Sequence, residues 1–108
     1  MSAGTHETTG GELSIQHEED ARGGAFFVDV GGERLAEMTY VRPSAGRAVI
    51  EHTRVSDRLG GRGVGKRLVH AGVEWARAAG AKLTPRCPYA RSVIERDPSL
   101  QDVLDTHT

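Results

Sequence analysis

The hydrophobic period of this chain changes at one place, and that change limits the folds open to it. Before residue 60 apolar residues recur mostly at every second position, the period of a strand. From Gly63 to Ala79 they recur at the helical period. Between the two lies GGRGVGKRL, residues 60–68, with four glycines in six positions followed by Lys66 and Arg67. A chain of 108 residues has room for one small domain. The glycine loop must therefore join a β-rich half and a helical half of a single unit.

In the first half, Leu13 and Ile15 share one side of a short strand in ELSIQHEE. GAFFVDV and GGERLAEMTYVR form a hairpin through Gly31-Gly32, because a Gly-Gly pair permits positive φ in a tight turn. Met38, Tyr40 and Arg42 fall on one face, and residues 43–46 make a second turn. RAVIEHTRV is the next strand. Strict alternation puts Ala48, Ile50 and His52 on one face and Val49, Glu51, Thr53 and Val55 on the other.

In the second half, Val64, Leu68, Ala71, Trp75 and Ala79 mark one helical stripe, with Gly72 and Ala76 beside it. Gly80 stands where a C-terminal cap belongs. AKLTPRC reads as a fifth strand. Pro88 suits the first turn of a helix that starts just after Cys87, and SLQDVLD is a last helical piece. The order β-β-β-β-α-β-α(-α) implies an α+β (mixed α/β) fold. Its twisted, mostly antiparallel sheet has about five strands, a central crossover helix and a short C-terminal helical region. The domain is expected over residues 13–105, between a disordered polar tail at 1–12 and a short tail at 106–108.

Composition removes several function classes. There are 14 Lys and Arg against 15 Asp and Glu, a net charge of −1, so bulk charge gives no case for nucleic acid. No apolar run approaches the roughly 18 residues of a membrane span. MSAGTHETTGGE lacks the apolar stretch of a signal peptide. One cysteine excludes an intramolecular disulfide framework and fits a reducing, cytoplasmic compartment. His6, His17, His70 and His107 show no metal-ligand spacing, so no metal is expected.

A glycine loop at a helix N-terminus points free N–H groups outward, at the positive end of the helix dipole. Phosphates bind such places, and Arg58, Arg62 and Lys66 would add charge. The plainer reading is a turn between strand and helix. Three phosphate patterns compete. The P-loop G-x-x-x-x-G-K-[ST] fits at Gly60, Gly65 and Lys66 but fails at Arg67, where the Mg²⁺-ligating hydroxyl should be. The dinucleotide pattern G-x-G-x-x-G, started at Gly61, fails at Lys66. The pattern [QR]-x-x-G-x-[GA] is matched throughout by Arg58-Leu59-Gly60-Gly61-Arg62-Gly63.

That third pattern is the pyrophosphate loop of the GNAT acetyltransferases. The chain resembles the small stand-alone YjdJ-type N-acetyltransferase-like branch of that superfamily. GERLAEMTY, IEHTRV, RLGGRGVGKRLVHAGVEWARAAG and PRCPYARSVIERDPSLQDVL carry the likeness, across roughly residues 13 to 105. The resemblance implies acetyl-CoA as co-substrate, in a cleft between the fourth and fifth strands, and an amine as acetyl acceptor. The pyrophosphate would lie on the N–H groups from Gly61 through Val64 to Gly65, and on Lys66. The pantetheine arm would run beside His52-Thr53-Arg54-Val55.

Two side chains could do chemistry. Cys87, at the start of a helix and next to Arg86, is placed for a lowered thiol pKa, although most free cysteines are buried small hydrophobes. The family motif P-x-C-P implies that it lies near the acetyl group, as an acid for the CoA thiolate or as an acetyl acceptor. His52 is either the base that deprotonates the amine or a structural histidine. Tyr89 packs on the cofactor or on the core. Arg54 and Arg58 are surface residues unless they touch CoA phosphates.

Most GNAT enzymes have two helices between their first strands. Here only DARGG separates them, too short for one ordinary helix. The acceptor pocket is thus open or supplied by another molecule, and the amine could belong to a protein. Two rival readings remain: a non-catalytic CoA-binding module, and a nucleotide-binding protein with a degenerate P-loop.

Overall fold

A computed structural model describes residues 13–105; the tails expected at 1–12 and 106–108 lie outside the described residues. Five strands form one sheet in sequence order: β1 (Gln16–Glu19), β2 (Gly23–Val30), β3 (Glu33–Ser44), β4 (Arg47–Val55) and β5 (Lys82–Pro85). The first four pair antiparallel. The last pair is parallel and is bridged by the crossover helix α1 (Val64–Ala79). Helix α2 (Pro88–Arg96) and a 3-10 stretch (Pro98–Val103) complete the α+β fold.

Local chemistry sets these boundaries. The β2–β3 hairpin turns on Gly31 and Gly32, at φ 60° and 84°, values that non-glycine residues rarely adopt. The β1–β2 link is a three-residue turn in which Asp20 Oδ1 accepts from the N–H groups of Arg22 and Gly23. Helix α1 runs between two left-handed glycines, Gly63 and Gly80, and Gly80 closes it by donating to Ala76 and Arg77 carbonyls. Strand β1 begins at Gln16, the first residue with a partner on β2, whereas Leu13 and Ile15 pack beside the core.

The core lies between the sheet and α1, joined by Ala90 and Ile94 of α2 and by Leu100 and Val103. The buried face of α1 is rotated from the stripe expected above. Val64, Leu68, Val69, Gly72, Val73 and Ala76 are buried, Ala71 and Trp75 lie at the edge, and Ala79 is exposed. Gly72 lets α1 approach the sheet, since a Cβ there would meet the Met38 methyl at 2.8 Å. At the far edge, His17 stacks on Phe26 with ring centroids 4.0 Å apart, and its Nε2 lies 2.6 Å from the Tyr40 hydroxyl. Trp75 packs against Tyr40 at 4.8 Å.

One irregularity reorganises β4. Tyr40 pairs with Ile50 but the preceding Thr39 pairs with His52, so Glu51 is an extra residue, a β-bulge. Beyond it the alternation is inverted. Thr53, opposite Met38, shares the α1 face with Ile50, while His52, opposite Thr39, points to the other face. The expected grouping of His52 with Ala48 and Ile50, and of Thr53 with Val49, is thereby overturned.

Candidate active site

Strand β4 pairs with β5 only from Arg47 to Ile50. The Ile50 carbonyl then accepts from both Arg86 (2.9 Å) and Cys87 (3.2 Å), and the chain turns away into α2. Among the described residues, the backbone of β4 past Ile50 therefore has an edge without a strand beside it. A cavity of about 390 Å³ opens along that edge. Thr53 and Val55 form one wall, Leu59 and the loop glycines Gly60, Gly61 and Gly63 another, and Val64, Gly65 and Tyr89 the third.

The loop is held by its ends. Ser56 Oγ accepts from the Arg58 N–H and caps a short 3-10 turn, Asp57–Leu59, whose Leu59 is buried. Gly61 and Gly63 then take φ of 79° and 68°. A Cβ at either would meet nothing within 4 Å, so backbone conformation rather than space calls for glycine there. Gly63 is also the N-cap of α1 and offers no side-chain cap. The N–H groups of Val64, Gly65 and Lys66 therefore lack an intrahelical acceptor and form the positive end of the helix dipole. Gly65 differs: a Cβ there would strike the Tyr89 ring at 2.7–2.9 Å. The glycine lets that ring, 43% exposed, lie over the helix start.

Cys87 caps α2 and is 6% exposed. Its Sγ lies 3.3 Å from Thr53 Oγ1, the hydroxyl brought to this face by the bulge. Burial pushes the thiol up, but the Thr53 hydroxyl and the N–H groups of Ala90, Tyr89 and Thr53 outweigh it and hold the thiol below its ordinary value. Burial and the Cys87 charge push the Tyr89 phenol up. Thr53 lines the cavity, and the sulfur stands behind it.

The other expected residues separate into groups. His52 is exposed on the face away from Cys87. Arg54 shares that face, 3.8 Å from Glu37. Arg58 is paired with Glu33 at 2.8 Å. Arg62 and Lys66 line a groove on the outer side of α1 with Arg67, and Lys66 also borders a cleft between α1 and α2. Sequence reasoning missed the Thr53–Cys87 pair and the role of Leu59 as the loop's anchor. A bulge leaves no mark in the alternation, whereas Leu59 is the one apolar residue between Val55 and the loop glycines. Among the described residues no cluster of three His, Cys, Asp or Glu side chains could hold a metal, and no helix is long and apolar enough to cross a membrane.

The parallel strand pair, the crossover helix and the glycine loop at its uncapped start make an open α+β sheet with a helix N-terminus suited to an anion. A family model described as GCN5-related N-acetyl-transferase matches residues 25–103. The chain belongs to the GCN5-related N-acetyltransferase family. A GCN5-like protein from Staphylococcus aureus, solved by NMR, is 37% identical over 89% of this chain and 91% of its own, with a TM-score of 0.68. The ribosomal-protein-alanine N-acetyltransferase of Brucella melitensis biovar Abortus 2308 shares the fold at 22% identity and TM-score 0.55, over 71% of this chain and 62% of its own. An aminoglycoside acetyltransferase from an uncultured soil metagenomic sample does so at 14% identity and TM-score 0.55, over 82% and 63%. No curated protein matches the chain.

Proposed function

We propose that the protein transfers an acetyl group from acetyl-CoA to an amine. The observation that carries this reading is the free edge of β4 past Ile50. A cavity follows that edge from Thr53 to the uncapped start of α1. The pantetheine arm would pair with the backbone of Thr53, Arg54 and Val55. The pyrophosphate would rest on the N–H groups of residues 61–66, and Tyr89 would pack on the arm.

The chemistry follows from the side chains at the bulge. The amine nitrogen attacks the thioester carbonyl, and N–H groups on the free edge of β4 hold the oxyanion. The C–S bond breaks and its electron pair leaves on the CoA sulfur. Cys87 supplies the proton for that thiolate through the Thr53 hydroxyl, because Thr53 lines the cavity and the sulfur lies behind it. The proton lost by the amine goes to His52 on the other face of the same strand. Cys87 is reprotonated from solvent. The three-residue turn after β1 builds no wall on that side, which suits an amine carried on a large molecule such as a protein.

Calorimetry on the full chain with acetyl-CoA, CoA and ATP-Mg²⁺ tests the reading. Micromolar binding of both CoA species, with none of ATP, supports it. ATP binding without CoA binding restores the degenerate P-loop and overturns it. Intact-mass measurement after incubation with acetyl-CoA tests the chemistry. An acetyl group found on Cys87 would replace the proton relay with a covalent one.

A further inference from the structure

Resting on that cofactor reading, we propose that the cleft between α1 and α2 is a phosphomonoester subsite. In it Lys66, His70 and Arg96 hold the 3′-phosphate of the CoA ribose, so that the protein selects CoA over dephospho-CoA. The cleft has a volume of about 280 Å³ and shares Tyr89 with the cofactor cavity. Its walls are two helical pairs four residues apart, Lys66 and His70 on α1 and Ser92 and Arg96 on α2. Lys66 belongs to the first turn of α1, beside the N–H groups that would hold the pyrophosphate. His70 lies one turn further, about 6 Å along the axis. A group a few bonds beyond the pyrophosphate can therefore enter the cleft.

The cations of this cleft form no close ion pair among the described residues, although Lys66 and His70 act at longer range on the Asp97 carboxylate. Among the described residues Arg34, Arg47, Arg54, Arg58 and Arg77 each lie against a carboxylate. Neither Lys66 nor Arg96 lies within ion-pair distance of a described carboxylate. The cleft's one carboxylate, Asp97, is already engaged: its Oδ1 accepts from the Ser99 N–H (3.0 Å) and hydroxyl (2.6 Å). The groove on the other side of α1 also contains Lys66 and His70, but its Arg67 donates to the Leu13 carbonyl at 2.6 Å, its Glu74 is paired with Arg77 at 2.8 Å, and its basic side chains come only from α1 and the loop before it. The facing cations of α1 and α2 can close on a phosphomonoester from both sides, which that groove cannot do.

Calorimetry at one fixed ionic strength, with CoA and dephospho-CoA, tests this. Wild-type protein should bind CoA at least about ten-fold more tightly, the scale of one or two charge-assisted hydrogen bonds. Arg96→Ala and His70→Ala together should cut that preference below about three-fold and leave dephospho-CoA affinity unchanged, as expected of contacts made only to the extra phosphate. Arg67→Ala should keep the preference. Equal binding of the two ligands by wild type overturns the subsite and leaves the cofactor reading standing. Absence of binding by either overturns both. A preference that survives the double substitution, or is lost only in Arg67→Ala, overturns the assignment to this cleft.

Discussion

Cys87 Sγ and Thr53 Oγ1 lie 3.3 Å apart, tying the cap of α2 to the strand that borders the cavity below the glycine loop. Each partner is in place for a separate reason. Pro88 starts the helix that Cys87 caps, and the bulge at Glu51 turns Thr53 toward it. The pair is the one contact where a titratable sulfur meets the free edge of β4, and its consequences are measurable.

Thr53→Val should raise the Cys87 thiol pKa, because burial remains while the hydroxyl that stabilises the thiolate is lost. The rate of Cys87 alkylation followed against pH reads this as a shift of the profile to higher pH. The sign for stability follows. The thiol is lowered on folding, so the native state releases its proton first. Wild type should gain stability relative to Thr53→Val as pH rises through the native thiol pKa toward the ordinary value of about 8.5. That gain should be absent at pH 6. An unchanged alkylation profile would remove Thr53 as the cause.

Gly61→Ala and Gly63→Ala should each destabilise the protein although open space surrounds both positions. A side chain at φ 79° or 68° costs about 1–2 kcal/mol, partly offset by a stiffer unfolded chain. A net cost near 1 kcal/mol lowers the melting temperature by roughly 4–8 °C in a domain of this size. Gly46→Ala is the control, since it too meets open space but has no positive φ. Thermal melts of the three variants should rank it apart from the other two.

How far the sequence reaches is clearest on β4 and α1. The Gly31-Gly32 hairpin, the cap Gly80 and the Pro88 helix start were legible because each depends on backbone chemistry local to one or two residues. The faces of β4 were not, because alternation is read residue by residue and a bulge resets it without changing composition. Thr53 and His52 thus exchanged sides. The stripe on α1 was misplaced for a related reason. Val69 and Val73 are as apolar as Val64 and Leu68, and only the sheet against which α1 packs decides that they, and not Ala79, are buried. The glycine loop was readable as the junction of strand and helix, yet the cleft at Lys66, His70 and Arg96 needs two helices brought together and has no signature in either.

The His17–Phe26–Tyr40 cluster should make stability depend on pH below neutrality. Burial lowers the His17 pKa against the pull of Glu19 and Glu18, so the unfolded chain takes up a proton before the folded one. Stability from this site is full above the unfolded value of about 6.5 and falls as pH drops through it. His17→Gln should lose part of the stacking on Phe26 at every pH, and should flatten the slope between pH 7.5 and 5. Urea denaturation at those two pH values measures both effects. A slope equal in wild type and variant would assign the pH dependence to other groups.

Gly65 and Tyr89 should be coupled, and the sign of one substitution should depend on the other. Alanine favours a helix interior over glycine by about 1 kcal/mol, so Gly65→Ala in α1 would stabilise an unobstructed helix. Here the new Cβ meets the Tyr89 ring at under 3 Å, and the ring must swing away from the helix start. In wild type the two effects oppose each other, and Gly65→Ala should be neutral or destabilising. In a Tyr89→Ala background the obstruction is gone, and Gly65→Ala should raise stability by up to about 1 kcal/mol. The double-mutant cycle, measured by urea denaturation, should therefore show a coupling comparable to the whole propensity gain. Equal effects in the two backgrounds would mean that the ring does not rest on Gly65.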